Sequence, residues 1–192
     1  MSEDGARPDA YAHRLAWGPS ARMRARSRLR EAIHTQSDML TVVEAAATVI
    51  CEELAARTVT VTLLQGDYYR DLVKVGEYDA EEAVDPQDRF PIADYPEATA
   101  RLMAHDAYVS STAAKDKDNG HQLAQEHLQI VPPTRVSGFM GVPIVAEGEA
   151  RGEIFATRRA SEPSFTSDDV SVARDLATEL GFSFPTLLAD GS

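Results

Sequence analysis

Apolar and polar positions along this chain repeat with two different periods, and the switches between them mark its elements. In "SARMRARSRLREAIH", Ala25, Leu29 and Ile33 recur at i, i+4 and i+8, a narrow apolar stripe on an Arg-rich helix over about 20–35. In "SDMLTVVEAAATVICEELA", positions 39, 42, 43, 46, 49, 50 and 54 keep helical period behind a capping signal at Ser37 or Asp38, predicting an amphipathic helix over about 38–56. The period then drops to two. Val59, Val61 and Leu63 alternate with Thr58, Thr60 and Thr62, which predicts a strand with one apolar and one moderately polar face. A Gln-Gly-Asp turn returns the chain through "YYRDLVKVG" as a second strand.

The middle of the chain is less regular. "RFPIADYPEATARLMAH" predicts a short extended piece and then a helix begun near Asp94 with Pro96 in its first turn. "AYVSS" predicts a short strand, and "TAAKDKDNGHQLAQEHLQIVPPTR" a charged loop, a short helix and a Pro-Pro stop. "FMGVPIVAEGEARGEIFATRR" places a Glu-Gly-Glu-Ala-Arg-Gly connector between two apolar runs and predicts a hairpin. In "FTSDDVSVARDLATELGFSF", Thr166 and Asp169 form a capping box, and Val170, Ala173, Leu176, Ala177 and Leu180 make the buried face of a helix over 167–184, stopping before Pro185. Strands joined by tight turns imply an antiparallel sheet of five or six strands, so the fold class is α+β. The helices at 38–56 and 167–184 have matching stripes and should pack side by side on one sheet face. Val59, Val61 and Leu63 should point toward them, and Thr60 and Thr62 away.

Composition narrows the function classes. With 192 residues the chain can bury a real core, and 43% hydrophobic with 26% charged residues is ordinary for a soluble domain. Nothing approaches the roughly 18–20 apolar residues of a membrane helix, and the polar start "MSEDGARPDAYAHRL" lacks the apolar core of an export signal. A lone cysteine, Cys51, excludes an internal disulfide and a multi-cysteine metal site. These signs point to the cytoplasm, with no membrane partner. The net charge of −12 is uneven: residues 1–36 hold seven arginines against four acids, and the remainder holds twelve basic residues against twenty-seven acids. So acidic a body repels phosphate backbones, and nucleic acid is not an expected partner. The basic helix reads as one whose arginines face water or the acidic body; an arm for nucleic acid is the other reading.

At this point the residues resemble a known family. "SGFMGVPIVAEGEARGEIFATRRASEPSFTSDDVSVARDLATELG" is similar to the C-terminal half of a GAF domain, with Val142-Pro143-Ile144 ending one strand and Gly152 opening the next. Pro163, Phe165, Thr166 and Asp169 match the segment that launches the last helix, and "RFPIADYPEATARLMAHDAYVSS" looks like the family's middle section. The resemblance spans about 37–185. Residues 1–19 are expected to be a poorly ordered segment, 20–36 a leading helix and 186–192 a tail. The resemblance implies a central antiparallel sheet with the terminal helices on one face and, on the other, a pocket closed by the middle segment. It also implies a small-molecule sensor and dimerisation module, hence a regulator.

Cyclic-nucleotide-binding relatives carry Asn-Lys and Phe-x-x-x-Asp-Glu signatures. Here Phe165 and Asp169 fit, but Val170 replaces the Glu and no Lys follows Asn119, so capping explains the pair better. Methionine-sulfoxide-reducing relatives need a resolving thiol and bilin-binding ones a cysteine near the pocket, whereas Cys51 lies in a predicted amphipathic helix and reads as a small buried hydrophobe. Haem needs one axial histidine. His121 and His127 lie six apart on a short helix and diverge, His105 reads as a helix C-terminal residue, and His13 and His34 lie in the N-terminal segments, so each reads as a surface or loop histidine. No Ser/His/Asp or Cys/His set suggests catalysis, and no metal site is expected.

The expectation is therefore a non-catalytic GAF-type sensor, acting as a homodimer on a separate signalling partner, with an unidentified ligand and no cofactor assigned. The alternatives are a dimerisation or protein-interaction domain without a ligand, and a haem-binding or enzymatic relative. Pocket candidates are Thr60, Thr62, Phe90, Tyr95, Tyr108 and Phe139. Ala25, Leu29 and Ile33 are dimer-contact candidates, because their stripe needs a covering surface. Arg22, Arg26 and Arg30, at i+4 spacing, should meet acids in cis or across the dimer.

Overall fold

A computed structural model describes residues 17–36, 38–85, 87–111, 123, 127 and 134–189. Two helices come first, α1 (Pro19–His34) and α2 (Met39–Leu54), followed by β1 (Thr58–Gln65) and β2 (Tyr68–Gly76). A 3-10 turn at Ala80–Glu82 leads to the short β3 (Phe90–Pro91), a second 3-10 turn at Ile92–Asp94 and α3 (Pro96–Met103). Then come β4 (Tyr108–Ser111), β5 (Val136–Ala146), β6 (Glu149–Arg159) and α4 (Ser167–Ala189). The six strands form one antiparallel sheet in the order β3-β2-β1-β6-β5-β4.

Local chemistry sets the boundaries. The Asp38 carboxylate accepts from the Leu40 and Thr41 amides and caps α2; Ser37 lies outside the described residues. The capping box of α4 is reciprocal: the Asp169 carboxylate accepts from the Thr166 amide at 2.9 Å, and the Thr166 hydroxyl accepts from the Asp169 amide at 3.2 Å. Around it, the Arg158 guanidinium lies 3.1 Å from Asp169 and 4.4 Å over the Phe165 ring. The motif at 165–169 is thus consumed in anchoring the helix to β6. His105 follows α3 with φ of 59°, a left-handed position that closes the helix through its amide to the Leu102 carbonyl.

Two boundaries differ from the sequence pattern. The β5–β6 connector is only Glu147-Gly148, with φ of 54° and 80°, because two successive left-handed residues close a two-residue hairpin whose twist matches the strands. Glu149 through Gly152, expected in the connector, belong to β6. The last helix runs through Pro185 to Ala189 instead of stopping before the proline, so part of the expected tail is helical. A proline removes one amide donor; near a helix end that is a loss of one hydrogen bond and not a termination.

Helices α1, α2 and α4 pack on one sheet face. Their apolar residues form a single core with Val59, Val61 and Leu63 of β1, Met140, Val142 and Ile144 of β5, and Ile154 and Ala156 of β6. A second core covers the opposite face, where Ala98 and Leu102 of α3 meet Tyr69, Tyr108, Phe139 and Phe155. The α1 stripe corrects an expectation. Ala25 and Leu29 are fully buried and Ile33 nearly so within one chain, so they are core residues and not dimer contacts. An isolated helix of this length is marginal in water, and its stripe finds cover on α2 and α4 before any second copy is needed.

The arginines of α1 reach acids in cis. Arg22 bonds Ser171 at 2.8 Å and Asp175 at 3.2 Å, and Arg26 and Arg30 both bond Glu179, whose carboxylate they hold below its usual range, Arg30 foremost. Replacing Leu29 with Ala should cost about 3 kcal/mol by opening a cavity in the helical layer, read as a lower urea midpoint with an unchanged slope.

Candidate functional site

The face of the sheet away from the helical layer is not flat packing but the wall of a cavity of about 550 Å³. Strand alternation builds it. Thr58, Thr60 and Thr62 of β1 point into it beside Glu153, Phe155 and Thr157 of β6, with Tyr69, Asp71 and Lys74 from β2. Phe90, Tyr95, Ala98 and His127 close the far side.

Two regions differ in character. At the more exposed end, charges pair with one another: Arg57 with Glu82 at 2.8 Å, and Arg135 with both Asp79 and Glu82. The Lys74 ammonium donates to the Glu82 backbone carbonyl at 2.7 Å, and burial pushes its pKa down. The inner end carries two carboxyls. Thr62 pairs in register with Asp71 on one side and Glu153 on the other, so the three side chains share one cross-strand row. Asp71 accepts from the Thr62 hydroxyl at 2.7 Å, and Glu153 accepts from the Tyr108 hydroxyl at 2.5 Å. Among the described residues neither carboxyl is ion-paired. Burial raises the pKa of both. Glu153 is pushed up to about 8 by its burial and further by the Asp71 charge, against the opposing hydrogen bond from Tyr108.

Gly141 makes the Glu153–Tyr108 contact possible. A Cβ there would fall 1.9 Å from the Glu153 Oε1 and 2.2 Å from the Tyr108 ring, so only glycine leaves room for both side chains on this face. Aromatic rings surround the row. Tyr69 and Tyr95 meet edge to face with centroids 5.9 Å apart, and His127 stacks on Phe155 at 5.1 Å.

Of the six pocket candidates, Thr60, Thr62, Phe90 and Tyr95 lie at the cavity wall. Tyr108 and Phe139 do not reach the wall; they are buried behind it, in ring contact with His127. His127 itself is corrected from a surface or loop histidine to a buried one. Its Nδ1 lies 2.9 Å from the Leu123 carbonyl and its Nε2 3.4 Å from the Tyr108 hydroxyl. The residues that sequence reasoning missed are Asp71, Glu153, Arg57, Lys74 and His127. Glu153 was the findable one, because it sits at an inward position of a strand otherwise reading as apolar. His121 and Asn119 lie outside the described residues, as do His13 and residues 1–16. Cys51 is buried in the helical layer, on the opposite side of the sheet, with its thiol pushed up to about 11 by burial. Among the described residues no group of three or more His, Cys, Asp or Glu is placed to hold a metal ion, and no helix is long and apolar enough to cross a membrane.

The architecture and cavity define a class, an α+β domain with a helical layer on one sheet face and a ligand-sized hollow on the other. A family model, GAF domain, matches residues 38–184, and the chain belongs to that family. No curated protein matches the chain. Among solved structures, the GAF domain of a phosphoenolpyruvate-protein phosphotransferase from Coxiella burnetii is similar at 14% identity, with a TM-score of 0.66 over 90% of this chain and 97% of that one. The phycocyanobilin-bound GAF domain of a cyanobacterial phytochrome gives a TM-score of 0.69 at 13% identity, over 88% and 96%. Residues 122 to 287 of a methyl-accepting chemotaxis protein give 0.64 at 19% identity, over 86% and 97%. At these identities the likeness is one of fold.

The raised pKa of Glu153 sets a pH dependence. Below the ordinary value of 4.5 the carboxyl is protonated in both folded and unfolded chains. As pH rises toward about 8 the unfolded chain ionises first, so the folded state loses stability across that window and levels off above it. Glu153→Gln keeps an acceptor for Tyr108 and cannot ionise. Its melting temperature should exceed that of the parent protein increasingly from pH 5 to pH 8, by an amount reflecting about 1.4 kcal/mol per unit of pKa difference as an upper bound.

Proposed function

We propose that this protein is a sensor or regulatory GAF module that binds a small organic molecule in the cavity, does not turn it over, and acts as a homodimer on a separate partner protein. The observation that carries this reading is the cavity itself. Its volume of about 550 Å³ falls in the range of small-molecule sites, roughly 300–1,000 Å³, and its wall combines rings with a few buried polar groups. A hollow that stayed empty would leave Asp71 and Glu153 buried in one row with only hydroxyl partners among the described residues, a costly arrangement for a purely structural interior.

Non-covalent capture is the mode that fits. A structurally similar relative holds a bilin, but the single cysteine here lies across the sheet from the cavity. The homodimer reading draws on the outer surface of the helical layer, where Met23 of α1 and Phe182 of α4 are 66% and 77% exposed. Phe182 follows Asp175 and Glu179 along the stripe of α4 that meets α1, so a second copy packed there would extend the helical layer and not replace it.

Native mass spectrometry of the protein as purified tests both parts. The expected spectrum is a dimer carrying a bound small molecule, and Thr60→Trp, which fills the cavity, should abolish that adduct while leaving the dimer intact. A ligand-free dimer that Thr60→Trp strongly destabilises by overpacking would instead support a dimerisation domain with a collapsed pocket.

A further inference from the structure

We propose that the ligand of this cavity is an organic cation, an amine or amidinium attached to an apolar body, received by the Asp71–Thr62–Glu153 row. The inference rests on the cavity being a ligand site and goes on to assign the charge of what fills it. Among the described residues three cations line the cavity, Arg57, Lys74 and Arg135, and all three are engaged toward its exposed end by Glu82 or Asp79. Six described acids line it, and the two at the inner end, Asp71 and Glu153, hold only hydroxyl partners among the described residues. What the described residues of the inner site lack is therefore positive charge. An anion placed there would face two carboxyls in a low-dielectric interior, whereas a cation would supply the counter-charge that makes their burial favourable.

The walls agree with that charge. Tyr69, Tyr95, Phe90 and Phe155 present rings around the carboxyl row, and aromatic faces attract a desolvated cation as well as covering an apolar body. Lys74 is near enough for its charge to oppose the upward shift of Asp71, but its ammonium is held at the Glu82 carbonyl and lies 5.6 Å from the Tyr78 ring centroid. Thr62, with a hydroxyl in the same row, adds a polar neighbour for the bound group.

The protonation of Glu153 turns the inference into a countable event. The groups around it are Tyr108 from β4, Thr62 from β1, Asp71 from β2 and, through Tyr108, His127. At pH 7 a carboxyl with a pKa of about 8 is mostly protonated. A bound cation favours its ionised form, so binding releases the proton to solvent; a neutral ligand leaves it in place.

Isothermal titration calorimetry of the full chain at pH 7, in phosphate and in Tris, counts that proton from the difference in buffer ionisation enthalpy. The probes are tryptamine, indole-3-acetamide and indole-3-acetate, close in shape and differing in charge. Tryptamine should bind with release approaching one proton, and indole-3-acetate should bind about ten-fold more weakly or not at all. Glu153→Gln should abolish the release and weaken tryptamine about ten-fold or more, and Asp71→Asn should weaken it while reducing the release only in part, because burial, the larger cause of the Glu153 shift, remains. Thermal melts of both variants establish that they fold. Equal or tighter binding of the acetamide or the acetate, or tryptamine binding without proton release, would overturn the cation assignment and leave the ligand site standing. Failure of all three probes to bind would defeat the site reading and the cation assignment together.

Discussion

Successive residues of a strand point to opposite faces, and in this protein both faces of the central strands are covered. β1 shows the consequence most plainly: Val59, Val61 and Leu63 enter the helical core while Thr58, Thr60 and Thr62 enter the cavity. β6 obeys the same rule with Ile154 and Ala156 on one side and Glu153, Phe155 and Thr157 on the other. A slip of one residue in either strand would put threonines and a glutamate under α2 and α4 and valines in the cavity. The register between β1, β2 and β6 therefore holds the core and the site in a single arrangement. The row of Asp71, Thr62 and Glu153 exists only because those three strands are aligned as they are.

The helical layer is a three-helix layer and not a pair with an appendage. α1 contributes Ala25, Leu29 and Ile33 to the same core as α2 and α4. The family match begins at residue 38, so this helix precedes the matched region yet is packed as part of the domain. Its arginines converge on Glu179, which is 5% exposed and accepts from both Arg26 and Arg30. A buried carboxylate with two guanidinium partners fixes the setting of α1 against α4 more than it adds net stability, since desolvation offsets much of the attraction.

Glu179 and Glu153 show two different settings of a buried carboxyl. Both are buried glutamates. One meets two arginines and is held below its usual pKa; the other meets a tyrosine and is pushed up to about 8. A sequence selected for stability alone gains little from a buried carboxyl that, among the described residues, has a hydroxyl and no cation as its partner. Buried titratable groups that depart from the usual pairing are where a ligand is to be sought.

The α+β class, a sheet of five or six strands, the pairing of α2 with α4 and the direction of the β1 side chains were all legible in the chain, because periods of 3.6 and two residues report directly which face is buried. The threonines of the cavity wall were legible for the same reason, as the polar half of an alternation. What only tertiary structure decided is which side chains meet across strands. Asp71 and Glu153 are 82 positions apart in sequence, and nothing local marks either as a partner of the other. Likewise, a stripe such as that of α1 says that cover is needed and not whether α2 and α4 or a second copy supplies it. The burial of His127, and the glycine at 141 that lets Tyr108 reach Glu153, follow from three-dimensional packing, to which periodicity along the chain is blind.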